Sequence, residues 1–139
     1  MAINHTDVTT VILVNDAEDE RLVTTFVPDG DKTLGIYDVF VPIMGALCEI
    51  APHPSTYRSD GLIEGLQGYA GAICILPVFP LRMNPPYLEY RWIVRAIARI
   101  PAYMLEQRRF GNIKFDMAVD GVPIAFGALD RLPGKCPTQ

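Results

Sequence analysis

The feature that most constrains the fold is a pair of β-rich runs near the end of the chain, separated by two residues. Ile113–Val119 and Val122–Leu129 favour extended backbone, and Asp120-Gly121 lies between them. Asp-Gly suits the positive φ angles that a type I′ turn requires at both central positions. The sequence therefore predicts an antiparallel hairpin, within a chain whose 139 residues are enough for one domain.

Three further segments favour strands. Val8–Val14 and Arg21–Val27 are rich in β-branched residues and flank an acidic segment, which predicts two strands joined by an acidic loop. Gly68–Pro80 is an apolar run without polar alternation, which is typical of a strand buried on both faces. The glycines at 65, 68 and 71 match neither a phosphate loop nor a dinucleotide fingerprint, so they indicate close packing or a bent strand.

Two segments show the periodicity of amphipathic helices. In the first, the apolar residues at steps of three and four are Ile36, Phe40, Ile43, Leu47 and Ile50. Pro42 leaves two alternatives, which are a bent helix from Leu34 and a regular helix that begins near Val41. The second helix is predicted from Asn84-Pro85 to Arg109, with a kink near Pro101.

These elements follow the order β-β-α-β-α-β-β. We expect an α+β fold in residues 1–130, with both helices packed on one face of a largely antiparallel sheet. Residues 131–139 are predicted to form a flexible tail.

The charge balance excludes nucleic acid as a partner, and its uneven distribution along the chain leaves two explanations open. Twelve Lys and Arg against sixteen Asp and Glu give a net charge of −4, whereas nucleic-acid binding requires a basic excess. Residues 1–60 hold ten acids and three bases, and residues 61–139 hold six acids and nine bases. Either the two halves neutralise each other within one chain, or complementary patches bring two chains together.

Hydropathy excludes a membrane span. The longest stretch without an acidic or basic residue is 65–81, which has 17 residues and is interrupted by Gly68, Gly71 and Pro77. A transmembrane helix needs a longer and more continuous apolar run. The first residues also lack the basic region and the apolar run of a signal peptide.

The cysteine pattern predicts free thiols. Cys48, Cys74 and Cys136 contain no Cys-x-x-Cys pair, and an odd number of cysteines is untypical of a disulfide framework. Cys48 and Cys74 are expected to behave as small hydrophobic side chains among apolar neighbours. Together with the absence of a targeting segment, this pattern predicts a cytoplasmic protein.

No motif for metal, nucleotide or serine-hydrolase chemistry is present in the sequence. The two histidines, His5 and His53, have no neighbouring cluster of metal ligands, so we expect no metal and no cofactor. No Gly-x-Ser-x-Gly motif occurs.

The first candidate site is the loop 53–60, which contains imidazole, hydroxyl, guanidinium and carboxylate groups. His53 and Tyr57 are its candidate catalytic residues, because histidine exchanges protons near neutral pH and loops on rigid scaffolds often carry function. The alternative is a polar surface connection in which Asp60-Gly61 forms a turn.

The second candidate site lies on the predicted second helix. Arg91, Arg95 and Arg99 recur at i, i+4 and i+8, where like charges repel one another. Three alternatives explain such a ridge. These are solvated side chains that lie along the helix, pairing with the acidic N-terminal half, and binding of an anionic ligand group.

Aromatic side chains surround the same helix. Tyr90 and Trp92 are candidate substrate-binding residues beside the arginines, and Tyr103 is a further candidate catalytic residue. Aromatic and arginine side chains together can line a pocket for a conjugated, partly polar molecule or form an interface hot spot. The same spacing also fits aromatic residues of a helical core.

The C-terminal half carries a resemblance. A helical segment that includes Ala96 and Tyr103 ends in Arg108-Arg109-Phe110 and is followed by the Asp120-Gly121 hairpin, with Gly127 near its end. Over this stretch the chain resembles small uncharacterised proteins of filamentous fungi. The resemblance implies a role in fungal secondary metabolism, and it implies no defined activity and no site residues.

Two functions are compatible with these patterns. The first is a small-molecule-pocket protein that binds an apolar specialised metabolite and, if it is an enzyme, acts as a cofactor-independent cyclase or isomerase. The second is a non-catalytic, homodimeric interaction or structural module. A mean hydropathy of +0.19 is high for a small monomer, so we expect a homodimer that buries part of residues 68–80 or the second helix.

Overall fold

The computed structural model describes residues 8–11, 17–65 and 71–130 of the chain. The helices in these ranges are α1 (Ala17–Arg21), α2 (Ile36–Ile50) and α3 (Tyr90–Gln107). The strands are β1 (Thr9–Val11), β2 (Leu22–Thr33), β3 (Leu62–Gly65), β4 (Ala72–Pro77), β5 (Gly111–Val119) and β6 (Val122–Asp130).

The six strands form one antiparallel sheet in the order β1-β2-β5-β6-β4-β3. Helix α2 packs over β3 and β4, and helix α3 packs over β1 and β2. The predicted α+β fold, with helices packed on an antiparallel sheet, is therefore confirmed. The predicted tail, 131–139, lies outside the described residues.

Two short elements are absent from the sequence-based prediction. Helix α1 lies in the segment expected to be an acidic loop, and strand β3 lies between the two predicted helices. They have five and four residues, so neither is long enough to show a periodicity in the sequence. Residues 12–16, which include the predicted end of the first strand, lie outside the described residues.

Pro42 lies inside helix α2, which begins at Ile36. The alternative that begins near Val41 is therefore wrong. Because proline has no N–H, Pro42 cannot bond to the carbonyl oxygen of Asp38, four residues earlier.

Gly71 approaches the carbonyl oxygen of Asp38 so closely that an added Cβ would lie 1.8 Å from it. The expectation that this glycine permits close packing is confirmed.

Helix α3 begins at Tyr90, six residues after the predicted start at Asn84-Pro85. The reason is the second proline, Pro86, because a residue that precedes proline is disfavoured in the helical region. Both Asn84 and Pro85 are in that position. Glu89 is extended, with φ at −106°, and precedes the first helical residue.

The predicted type I′ hairpin is confirmed. Asp120 and Gly121 have φ angles of 53° and 79°, which are the positive values that both central positions of this turn require. Val119 and Val122 pair directly at the ends of β5 and β6. The Arg21 side chain fixes the turn further, because its Nε and Nη2 atoms donate to the Asp120 carboxylate at 3.0 and 2.8 Å.

The contact between Arg21 and Asp120 makes stability depend on pH. The hydrogen bond from Arg21 holds the pKa of Asp120 below its ordinary value. The stabilisation is therefore present above the unfolded pKa of about 3.9 and is lost as the pH falls through the lower folded pKa.

Replacing Asp120 with asparagine tests this pH dependence, because Asn-Gly also suits a type I′ turn. We expect Asp120→Asn to lower the Tm at neutral pH, and we expect the difference from the wild type to shrink as the pH falls through the lowered folded pKa of Asp120. Thermal denaturation followed by circular dichroism across this range measures it. A difference that stays constant with pH would show that the ion pair contributes nothing.

Side chains alternate between two faces of the sheet. On β5, Ile113, Phe115 and Met117 are buried beneath the helices, whereas Lys114 and Asp116 are exposed on the opposite face. The strand register carries the same alternation across β2 and β6, whereas residues 72–75 of β4 are buried on both faces of the sheet. The hydrophobic core therefore lies between the helices and one face of the sheet.

The cysteines correct an expectation. Cys48, near the end of α2, is free and exposed, although we expected it among apolar neighbours. Cys74, on β4, is buried and disulfide-bonded. The prediction of three free thiols is therefore wrong at Cys74. Cys136 lies outside the described residues, and a cytoplasmic location stays a prediction.

Candidate functional site

Two of the three arginines of the ridge, Arg91 and Arg95, form ion pairs with acidic side chains of helix α1. The Arg91 Nη1 atom lies 2.6 Å from Glu18 Oε2, and the Arg91 Nε atom lies 2.8 Å from Glu89 Oε1. The Arg95 Nη2 and Nε atoms lie 2.9 and 2.8 Å from Glu18 and Asp19 carboxylate oxygens. These contacts pair acidic and basic side chains within one chain. They therefore favour neutralisation within the chain, and not association of two chains, as the explanation of the uneven charge.

Arg99 is fully buried beneath α1 and the start of β2. Its Nη1 atom donates to the carbonyl oxygen of Leu22 at 2.6 Å, and its Nη2 atom donates to the carbonyl oxygen of Asp19 at 2.8 Å. Burial lowers the pKa of Arg99, since it disfavours the charged form. The two hydrogen bonds of Arg99 therefore join α3 to α1 and β2.

Trp92 is also buried, under a layer of guanidinium groups. The Arg91 and Arg21 groups lie 4.4 and 5.2 Å from the centre of its ring. Its Nε1 atom has no hydrogen-bond partner among the described residues. The indole ring therefore packs against the guanidinium groups that form these ion pairs.

His53 and Tyr90 form the wall of a small groove between the end of α2 and the start of α3. Their rings are stacked, with centroids 4.4 Å apart and an angle of 6° between the planes. The groove has a volume of about 210 Å³, and Arg91 and Arg95 also line it. Four of the eight predicted site residues thus lie together.

The other four do not contribute to this groove. Tyr103 is buried in the core, where its ring stacks on Phe26 at a centroid distance of 4.9 Å. Tyr57 is exposed on the loop, and Trp92 and Arg99 are buried. The three predicted catalytic residues, His53, Tyr57 and Tyr103, therefore line no common cavity.

A larger concave surface than the groove lies on the side of the sheet that faces away from the helices. We call this surface the open face. It consists of side chains on β2, β5 and β6, namely Val23, Thr25, Val27, Lys114, Asp116, Ala118, Pro123 and Phe126. A cleft of about 610 Å³ lies on this surface. Within the described residues, no helix packs over it.

The open face is mainly apolar but contains one base and one acid. Lys114 and Asp116 are two residues apart on β5, so their side chains point to the same side. Lys114 makes one loose contact, at 3.8 Å, with Asp29. The alternation of side-chain directions along strand 113–119 could have predicted this surface from the sequence, because it places Lys114, Asp116 and Ala118 on one side of the sheet.

The described ranges contain neither a cluster of metal ligands nor a membrane-spanning helix. There, no three His, Cys, Asp or Glu side chains are grouped so that they could hold a metal ion. In the same ranges, no helix has the length and the apolar character that crossing a membrane requires.

Comparison with known proteins gives no relative, since no family model, curated protein or solved structure matches the chain. The resemblance to filamentous-fungal proteins stays a prediction. The geometry of the chain is therefore the basis for a functional proposal.

Proposed function

We propose that the chain is a non-catalytic interaction module that forms a homodimer through the open face of its sheet. One observation carries the proposal, which is that the helices of the described residues cover one side of the sheet, and that the other side is apolar and concave. Burying apolar surface stabilises an association by about 25 cal/mol for each Å² removed from water. A second copy of the chain is the partner we propose, because it is always present in solution and carries the same apolar surface.

The size of the open face fits this proposal. Strands β5 and β6 have nine residues each, and they lie between β2 and β4. With strands about 4.8 Å apart and a rise of about 3.3 Å per residue, β2, β5 and β6 give the open face a footprint on the order of 14 by 30 Å. A footprint of this size corresponds to the small class of interfaces, below about 1,200 Å² in total, which transient associations use.

The opposite charges of the open face can pair between two copies of the chain. In a dimer with twofold symmetry, a residue that contacts another on the partner is contacted in return. An axis that crosses β5 at Phe115 places Lys114 opposite the partner's Asp116, and Asp116 opposite the partner's Lys114. This arrangement forms two ion pairs across an otherwise apolar interface.

A charge reversal tests the dimer. Asp116→Lys leaves four lysines and no acid at these positions, so we expect the dimer Kd to rise at least about tenfold. The double variant Lys114→Asp with Asp116→Lys restores opposite charges and should restore the dimer. Sedimentation velocity over a concentration series measures all three proteins.

Glu106→Lys is the matched control, because it makes the same charge change at an exposed position on α3. It should sediment as the wild type does. If Asp116→Lys also sediments as the wild type, or if the wild type is a monomer at every concentration, the proposal is contradicted.

A second function is favoured by the groove at His53. It brings His53, Tyr90, Arg91 and Arg95 together, which fits the predicted small-molecule-pocket protein. In this proposal an apolar specialised metabolite rests on the stacked rings, an arginine binds its carbonyl or enolate oxygen, and His53 exchanges the proton in a cofactor-independent cyclisation or isomerisation. The volume is below the 300 Å³ or so of ordinary ligand pockets, so only part of such a ligand fits.

The test of this second function starts from a strain in which the gene is deleted. Metabolite profiling identifies a compound that accumulates, and the pure protein is then incubated with it. We expect conversion and a raised Tm, and we expect Arg95→Met to lower binding about 100-fold, which is about 2.7 kcal/mol. An unchanged compound together with an unchanged Tm would rule this function out.

A further inference from the structure

The disulfide of Cys74 has one available partner. Cys74, on β4, is disulfide-bonded, and Cys48, on α2, is free. The chain contains one further cysteine, Cys136, which lies beyond the described residues. Within a single chain, Cys136 is therefore the cysteine that remains for a bond to Cys74.

The length of the chain after β6 permits this bond. Asp130, the last residue of β6, pairs with Ala72, and Cys74 lies two residues farther along β4. From strand spacing and rise, the Cα atoms of Asp130 and Cys74 are on the order of 8 Å apart. Six extended residues, 131–136, span about 20 Å, and Pro133-Gly134 favours a type II turn. The chain is therefore long enough to return to β4.

The side chain of Cys74 points to the same side of the sheet as the open face. Directly paired residues of neighbouring strands project to one side. The register pairs Lys114 with Ala128, and Ala128 with Cys74. Lys114 belongs to the open face, so Ala128 and Cys74 also point away from the helices. A residue that bonds to Cys74 must therefore approach from the side of the open face.

Exposure changes abruptly along this row of paired side chains. The side chain of Lys114 is 58% exposed, whereas Ala128 and Cys74 are 5% and 2% exposed. Ile63, which pairs with Cys74 on the other side, is 56% exposed. The row is therefore buried in its middle and open at both ends.

The buried part of this side consists of small residues. Ala72, Cys74 and Ala128 are each at most 5% exposed, and we call these three residues the covered strip. The hydrophobic core under the helices includes Ala125 but none of these three. The described helices pack against that core, on the opposite side of the sheet, so the burial of the covered strip requires another segment of the chain.

We infer that Cys74 is bonded to Cys136, and that residues 131–139 lie as a strap over the covered strip. The bond requires the strap to approach from the side of the open face, and the small side chains of the covered strip leave room for it. The strap then limits the surface available to a second copy of the chain to β2, β5 and β6. This effect on association rests on the proposed homodimer, whereas the bond itself does not.

Opening the strap is a two-electron reduction. A dithiol opens it by thiol–disulfide exchange, in which the S–S bond breaks, Cys74 and Cys136 become thiols, and the dithiol becomes a cyclic disulfide. The two protons and two electrons come from the dithiol, and exchange with an oxidising disulfide reverses the reaction. Reduction thus uncovers the covered strip and adds β4 to the apolar surface of the open face.

Peptide mapping tests the bond. The full chain, prepared without reductant, is denatured in the presence of N-ethylmaleimide and digested with trypsin. We expect peptide 59–82, which contains Cys74, to be linked to peptide 136–139, and peptide 33–58 to carry one maleimide at Cys48. A maleimide on Cys74, a link from Cys74 to Cys48, or a disulfide-linked dimer in non-reducing electrophoresis would overturn the inference. Mapping requires no variant, so it does not depend on whether a cysteine variant folds.

Labelling of the native protein tests the strap. Cys136→Ser with Cys48→Ser leaves Cys74 as the one thiol of the chain. We expect maleimide to label this native variant at a rate within about tenfold of Thr25→Cys, which is placed on the open face in a chain with Cys48→Ser. Circular dichroism establishes that both proteins are folded. If Cys74 is labelled only after denaturation, the disulfide does not hold the strap in place.

Sedimentation velocity relates the strap to association. We expect Cys136→Ser to lower the dimer Kd at least about tenfold, because the uncovered strip adds apolar area to the interface. Cys48→Ser is the matched control, since it makes the same substitution at an exposed thiol, and its Kd should equal that of the wild type. A dimer of unchanged Kd in Cys136→Ser would show that the strap does not limit association.

Failure of the strap and failure of the homodimer give different results. If the linked peptide is found and Cys74 becomes reactive in Cys136→Ser, but every protein stays monomeric, then the homodimer is contradicted and the strap is supported. If the wild type dimerises through the open face but the linked peptide is absent, then the strap alone is contradicted.

Discussion

Replacing Gly71 with alanine is expected to destabilise the fold by more than about 4 kcal/mol, or to prevent folding altogether. The added Cβ would lie 1.8 Å from the carbonyl oxygen of Asp38 and 2.7 Å from its carbonyl carbon. Both are backbone atoms of α2, and they cannot move without shifting the helix away from β4. Urea denaturation followed by circular dichroism measures the change in the free energy of unfolding.

Gly35→Ala is the matched control for this prediction. Gly35 precedes α2, and the atom nearest to its added Cβ is an Asp38 carboxylate oxygen at 3.3 Å, which belongs to a flexible side chain. We expect a change of less than about 1 kcal/mol. Similar losses in the two variants would contradict the close approach of β4 to α2.

The second large effect is expected at Arg99. Arg99→Met keeps most of the apolar stem but removes the donors to the carbonyl oxygens of Leu22 and Asp19. Buried acceptors that lose a donor cost about 1–3 kcal/mol each, so we expect the free energy of unfolding to fall by about 3 kcal/mol. The same denaturation experiment measures it.

Arg95→Met provides the comparison, because Arg95 lies one turn earlier on α3 and is partly exposed. Its ion pairs are screened by water, so its loss should cost about 1 kcal/mol or less. If Arg99→Met costs no more than Arg95→Met, then the buried guanidinium does not join α3 to α1 and β2.

Local chemistry explains which parts of the fold could be predicted. The Asp120-Gly121 turn depends on two residues and their φ angles, so the sequence is sufficient to predict it. The start of α3 depends on Pro86 as well as on the more conspicuous Asn84-Pro85. Helix α1 has only five residues and is held by Arg91 and Arg95, which lie more than 70 positions later. No local pattern could predict it.

The candidate sites show the same distinction. Tyr90, Arg91 and Arg95 lie within two turns of α3, so their proximity follows from helical geometry. Arg99 continues the same ridge, but α1 and β2 cover the helix at that point, and this depends on tertiary structure. Which side of the sheet stays open likewise depends on where both helices pack.

Cross-linking from the open face tests the central claim most directly. Thr25→Cys is placed on the open face and Met44→Cys on the outer surface of α2, both in a chain with Cys48→Ser. Native protein is treated with a flexible bismaleimide, and the products are separated by denaturing electrophoresis. We predict cross-linked dimer from Thr25→Cys and little or none from Met44→Cys. Cross-linked dimer from Met44→Cys but none from Thr25→Cys would contradict a dimer formed through the open face.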